Sequence, residues 1–162
     1  MAARLRAWIG LGANLGDARA AVFGALAELA ALPASRLVAQ SSLYRSAPVD
    51  ATGPDFVNAV AGIDTALSAT DLLAALQSIE QRHGRVRGER NAPRTLDLDL
   101  LLHGEAVIDT PALTLPHPRL HERAFVLLPL AEVAPALVVP GRGAVRELLR
   151  GLGAQAIERL MP

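Results

Sequence analysis

A chain of 162 residues, 51% apolar and only 3% aromatic, is long enough to bury one core built mainly from Leu, Val, Ile and Ala. Sixteen basic residues balance sixteen acidic ones, which argues against nucleic acid as the main partner. All sixteen bases are arginine, so a phosphate-loop lysine and a Schiff base are both excluded. Cysteine is absent, which removes disulfides, thiol catalysis and thiolate zinc sites.

Arg4 and Arg6 precede a short apolar run that Gly12, Asn14 and Asp17 end before a signal or membrane segment is complete; a cytoplasmic protein with no membrane partner is expected. Ala7–Ala13 reads as a strand, and Gly12 through Asp17 as a turn and helix cap. A helix follows over Ala18–Leu32 and stops at Pro33. Gly10, Gly12 and Gly16 lack the spacing of a dinucleotide fingerprint. Leu37–Arg45 reads as a second strand, Ser46–Pro54 as a loop and Phe56–Ile63 as a third strand. A helix over Thr70–His83 places Leu72, Leu73, Leu76 and Ile79 on one face. Gln77, Glu80 and Gln81 are assigned to its opposite, wet side, near Gly84, where the helix ends.

Between residues 82 and 94 stand five arginines, at 82, 85, 87, 90 and 94, against the single acid Glu89. Directly after them, Asp97 and Asp99 interrupt what otherwise reads as a buried strand running through Leu102. Side chains alternate along a strand, so the two carboxylates share one face with Cα atoms about 6.6 Å apart, within reach of a common metal cluster. Divalent cations or arginines are the natural compensation for two such charges on a sheet. A basic loop feeding an acidic strand has the chemistry of a nucleotide with its magnesium.

Beyond the turn at His103-Gly104, Val107-Ile108 is a short extended piece, and Leu113–Pro118 is held extended by its prolines, with His117 between two of them. Arg119–Leu130 reads as a broken helix and Val145–Leu149 as a terminal one. No internal repeat or second domain is evident, and one domain over 1–162 is expected. The order strand, helix, strand, strand, helix, strand predicts an α+β fold. Its core is a ferredoxin-like β-α-β-β-α-β unit: an antiparallel sheet with two helices on one face, the acidic strand central or nearly so, and C-terminal additions.

Several blocks, in order, resemble the 6-hydroxymethyl-7,8-dihydropterin pyrophosphokinase family of folate biosynthesis over essentially the whole chain. They are residues 9–16 (IGLGANLG), 41–48 (SSLYRSAP), 54–59 (PDFVNA), 84–87 (GRVR), 92–99 (APRTLDLD), 115–117 (LPH) and 123–127 (RAFVL). The resemblance implies transfer of the β,γ-diphosphoryl group of ATP to the hydroxymethyl group of the pterin, releasing AMP. It further implies that Asp97 and Asp99 hold two Mg2+ ions, with Arg85, Arg87 and Arg94 acting on the phosphates. Nucleotide contacts are implied at Gln77, Glu80, Arg85, Arg94, Leu100, His117 and Arg123. Pterin contacts are implied at Ser46, Ala47, Pro48, Val49 and Asn58, with Phe56 and Phe125 stacking on the two faces of the ring. An aromatic sandwich with an amide and backbone partners suits a ring that has apolar faces and a polar rim.

The chain departs from some members of that family at Asn91-Ala92-Pro93-Arg94, which lacks a tryptophan and is one residue shorter, and at Pro118, which replaces a tyrosine. No side chain stands out as a general base, so electrostatic and positional catalysis is expected, with the 46–54 and 84–93 segments closing over the substrates. A monomer is expected. A nucleotide- or metal-binding regulatory module leaves the two-sided pterin pocket unexplained, and an RNA-binding module on a similar sheet conflicts with net neutrality and few aromatics.

Overall fold

The computed structural model describes residues 3–14, 16–47, 54–83, 96–153 and 155–160. Strand β1 (Leu5–Ala13) leads to helix α1 (Ala18–Ala30), whose first turn is capped by Asp17 accepting the Ala20 N–H at 3.0 Å. The second strand of the sequence reading is two strands, β2 (Ser35–Gln40) and β3 (Tyr44–Ser46), both antiparallel to β4 (Phe56–Thr65). Ser41 causes the break. Its N–H donates to Val60 O at 2.9 Å while its hydroxyl accepts the Val60 N–H at 2.9 Å, so a side chain stands in for a ladder bond and the register slips.

Helix α2 (Ala69–Arg82) is capped by Ser68, which accepts the Asp71 N–H at 3.1 Å. It leads by way of the 84–95 segment to β5 (Asp97–His103), the acidic strand. Two short hairpin strands follow, β6 (Ile108–Asp109) and β7 (Thr114–Leu115), then a single 3-10 turn (Leu120–Glu122) and helix α3 (Ala124–Val133). The chain continues through β8 (Val138–Val139), β9 (Gly143–Ala144), helix α4 (Val145–Arg150) and β10 (Ile157–Arg159). Strand β10 was not anticipated from sequence; it pairs with β3 and extends the sheet.

The sheet runs β10-β3-β4-β1-β5 with β2 also on β4, and all its pairings are antiparallel. With β2 and β3 counted as one broken strand, this is the ferredoxin-like arrangement, in which the first and third core strands are central. The acidic strand is therefore not central: among the described residues β5 pairs only with β1 and forms an edge.

Each face of the sheet has its own core. On one, Ile9, Leu11, Ala61, Ile63, Leu98 and Leu100 pack with Val22, Leu26 and Leu29 of α1 and Leu72, Leu76 and Ile79 of α2. On the other, Trp8, Val60, Leu101 and Leu102 pack with Val126, Leu127 and Leu130 of α3 and Val145 of α4. Leu101 and Leu102 are consecutive yet lie in the same core because β5 carries one extra residue opposite Trp8/Ile9. That bulge inverts the alternation, turning His103 to the first face, where its Nε2 lies 2.9 Å from Leu67 O. Gly62 makes room for Trp8: a Cβ there would stand 2.7 Å from the indole.

Candidate active site

Upstream of the bulge the alternation is undisturbed, so Asp97 and Asp99 face the α3 side while Leu98 and Leu100 are buried on the α1 and α2 side. Register extends this across the sheet. Asp97 lies opposite Gly12, Gly12 opposite Asn58, and Asn58 opposite Tyr44, giving a row Asp97, Gly12, Asn58, Tyr44 whose side chains share one face. Ser46 and Phe56 form the next row on the same side. Asn58 is buried, and its Nδ2 donates to Ser46 Oγ at 2.7 Å. That bond leaves the hydroxyl proton of Ser46 and the carbonyl oxygen of Asn58 for a ligand, a donor beside an acceptor. Asn14, 3% exposed, ties the end of β1 to the start of β4 through Nδ2 to Pro54 O at 3.2 Å.

The segment after β7 closes this end of the sheet. The His117 N–H donates to Leu101 O at 3.0 Å, and the ring brings Nε2 to 3.9 Å from Asp99 Oδ1. Its Nδ1 accepts the Arg119 N–H at 3.2 Å and therefore carries no proton. Burial, together with the guanidiniums of Arg123 and Arg119, outweighs the attraction of Asp97 and holds the His117 pKa below the usual histidine range. With Nδ1 engaged as an acceptor, the ring proton belongs to Nε2, the nitrogen nearer Asp99. Arg123, the residue before α3, lies over the Phe125 ring at 5.3 Å from its centroid.

Sequence reasoning missed the network that holds the Ser46 strand to α3. Glu132 Oε1 accepts the Tyr44 hydroxyl at 2.6 Å, its Oε2 accepts the Ser42 hydroxyl at 3.0 Å, and the Ser42 N–H points at both oxygens. Burial and then the bond to Glu132 push the Tyr44 pKa up to about 12. Burial of Glu132 works against its ionisation, but the bonds from Tyr44 and Ser42 outweigh it and lower the pKa. No sequence signal pointed to Glu132, which lies 88 positions from Tyr44.

The expected site residues divide by place. Ser46, Phe56, Asn58, Asp97, Asp99, His117, Arg123 and Phe125 all belong to the α3 side of the sheet or to the elements that close it. Ala47 follows β3 and is exposed. Gln77, half-buried, and Glu80 lie on α2, across the sheet from α3. Glu80 corrects the wet-side reading: it is 4% exposed, and its Oε2 accepts the Leu98 N–H at 2.8 Å. Leu100 is buried among the side chains of the first core. Pro48, Val49, Arg85, Arg87 and Arg94 lie outside the described residues, as do most of the 46–54 segment and all of 84–93.

The donor chemistry fits Mg2+, a hard cation that takes one or two protein carboxylates and completes its shell with substrate phosphates and water. Among the described residues no group of three or more His, Cys, Asp or Glu could hold a metal by itself, so a closed, all-protein cage is not formed there. No helix among them is long and apolar enough to cross a membrane.

The chain matches known proteins over nearly all its length. It is 49% identical over 156 residues to the 2-amino-4-hydroxy-6-hydroxymethyldihydropteridine pyrophosphokinase of Pseudomonas aeruginosa, covering 96% of each chain. With the protein of the same description from Haemophilus influenzae it shares 42% over 159 residues, 98% of this chain and 99% of the other. Among solved structures, Plasmodium falciparum HPPK-DHPS superposes with a TM-score of 0.72 at 12% identity over 91% of this chain, which supports the fold; the chain spans 43% of that longer protein. Residues 8–135 match the model of one family, and with these relatives the chain belongs to it: 7,8-dihydro-6-hydroxymethylpterin-pyrophosphokinase, or HPPK.

Proposed function

We infer that this chain transfers the β,γ-diphosphoryl group of ATP to the hydroxymethyl group of 6-hydroxymethyl-7,8-dihydropterin, the pyrophosphokinase reaction of the HPPK family, with AMP as the other product. The observation that carries the site assignment is the row in which Asp97 and Asn58 flank the bare Gly12 on one face of the sheet. In our reading Asn58 and Ser46 address the polar edge of the pterin, with Ala47, Pro48 and Val49 beside them, and Phe56 and Phe125 take its two faces. The hydroxymethyl group then points along the row toward Asp97.

Asp97 and Asp99 hold two Mg2+ ions, which when bound neutralise the polyphosphate and lower the pKa of the attacking hydroxyl. His117 presents Nε2–H, and Arg85, Arg87, Arg94 and Arg123 supply positive charge, where the phosphate oxygens gain charge in the transition state. Gln77 contacts the nucleotide. Leu100 can do so only through its backbone, since its side chain is buried and the alternation turns its N–H and C=O to the same outer edge as those of Leu98. In-line attack on the β-phosphorus then needs positioning more than a strong base. We read the chain as one domain over 1–162 that acts as a monomer.

Incubation with ATP, Mg2+ and the pterin, read by phosphorus NMR, tests this directly. AMP and pterin diphosphate should appear together, and only when the pterin is present. Release of ADP, or AMP formation without pterin, contradicts the assignment; nucleotide binding without turnover indicates a regulatory module.

A further inference from the structure

We propose that Glu80 is a positioning residue: its buried carboxylate clamps the backbone of β5 between Asp97 and Asp99 and so sets the direction of both side chains. The proposal rests on the reading of Asp97 and Asp99 as Mg2+ ligands given above.

Among the described residues strand β5 is an edge on the side away from β1, and the N–H groups on such an edge have no ladder partner there. The Leu98 N–H is one of them, and Glu80 Oε2 takes it at 2.8 Å. Both residues are nearly sealed from water, Glu80 at 4% exposure and Leu98 at 5%. In so dry a place a backbone N–H left without a partner is costly, so an acceptor oxygen at this reach holds the peptide in place.

The position of the clamp gives it a consequence for the site. Leu98 is the second residue of β5, where an edge strand would otherwise fray. Asp97 and Asp99 alternate about it, so a swing of the Leu98 peptide would turn both carboxylates together. The holder is itself rigid: Glu80 directly follows the buried Ile79 and stands one turn beyond the buried Leu76. Partners of this kind behind a metal ligand typically govern affinity by about 10- to 100-fold.

Two single substitutions in the full chain separate reach from charge. Glu80→Gln keeps an oxygen at the same reach and loses the charge; Glu80→Asp keeps the charge and falls one methylene short. Amide exchange at Leu98 in the metal-free protein, and the Mg2+ concentration for half-maximal rate, are then compared. The clamp predicts that Glu80→Asp speeds Leu98 exchange and raises the Mg2+ requirement, each by about 10-fold or more, while Glu80→Gln stays within about 3-fold of wild type. The reverse order, or an unchanged Leu98 amide in Glu80→Asp, overturns it. Asp97→Asn tells the two readings apart: an unchanged Mg2+ requirement there refutes the metal assignment and leaves the Leu98 exchange result to judge the clamp.

Discussion

Gly12 lies between Asn58 and Asp97, and a Cβ built on it would come within 3.2 Å of Asn58 Oδ1 and 3.8 Å of the Phe56 ring. Those are the groups we assign to the pterin, so a methyl here would crowd the acceptor and shift the Asn58 carbonyl oxygen by a few tenths of an ångström, with its amide still bonded to Ser46. Gly10, two residues earlier on the same face, is different: the space beside it is filled by Leu101, whose side chain a Cβ would meet at 3.5 Å, an ordinary contact. Gly12→Ala should raise the KM for the pterin about 10-fold or more, a loss of about 1.4 kcal/mol in acceptor binding. The KM for ATP and the melting temperature should barely change, since alanine suits a strand interior at least as well as glycine. Steady-state kinetics with each substrate varied in turn would check this, with Gly10→Ala as the reference; equal effects on both substrates would refute a pterin-specific role.

Element by element, α3 does more than cover a face of the sheet. Through Glu132 it holds Ser42 and Tyr44, and so fixes the point at which β2 gives way to β3 and Ser46. The Glu132 pKa is lowered in the folded state, so this carboxylate contributes stability above its unfolded value near 4.5 and loses that contribution as pH falls through the lower folded value. Glu132→Gln should therefore cost about 1–3 kcal/mol at pH 7 by denaturant unfolding. The gap to wild type should narrow below about pH 4.5, and a gap independent of pH would contradict the network.

Helix α2 shows what its own sequence made legible and what it concealed. Leu72, Leu76 and Ile79 announced the buried stripe correctly, and Ser68 caps a helix that starts at Ala69, one residue before the expected Thr70. Glu80 is read, with Gln77 and Gln81, onto the wet side that a surface helix needs. Yet 72, 76 and 80 are spaced by four, which puts the carboxylate on the same stripe as the leucines. Periodicity carried the signal and residue type obscured it. The break between β2 and β3 was harder to foresee, because it depends on Ser41 meeting Val60 across the sheet.

At the scale of the whole molecule, the sheet separates two tasks. The face toward α1 and α2 is closed by aliphatic side chains, whereas the face toward α3 gives up part of its area, at Gly12, Asn58 and the aspartates, to the candidate site. The pairing of Asp97 with Asp99 on one face could be read from strand alternation, and the ferredoxin-like order from the succession of elements. The edge position of β5 follows from that same order, but two features could not be read: the bulge at Leu101 and the added strand β10. Each depends on which strands meet, and register between distant segments is set by packing that no local pattern encodes.

The claim on which everything else rests is that Asp97 and Asp99 together make the diphosphoryl transfer possible. Pterin-dependent AMP release by Asp97→Ala and Asp99→Ala proteins, each shown to be folded by its circular dichroism and melting temperature, tests it most directly. A loss of about 1,000-fold or more in each is the expected result, equivalent to about 4 kcal/mol of transition-state stabilisation. Turnover within a few-fold of wild type in either folded variant would contradict the account.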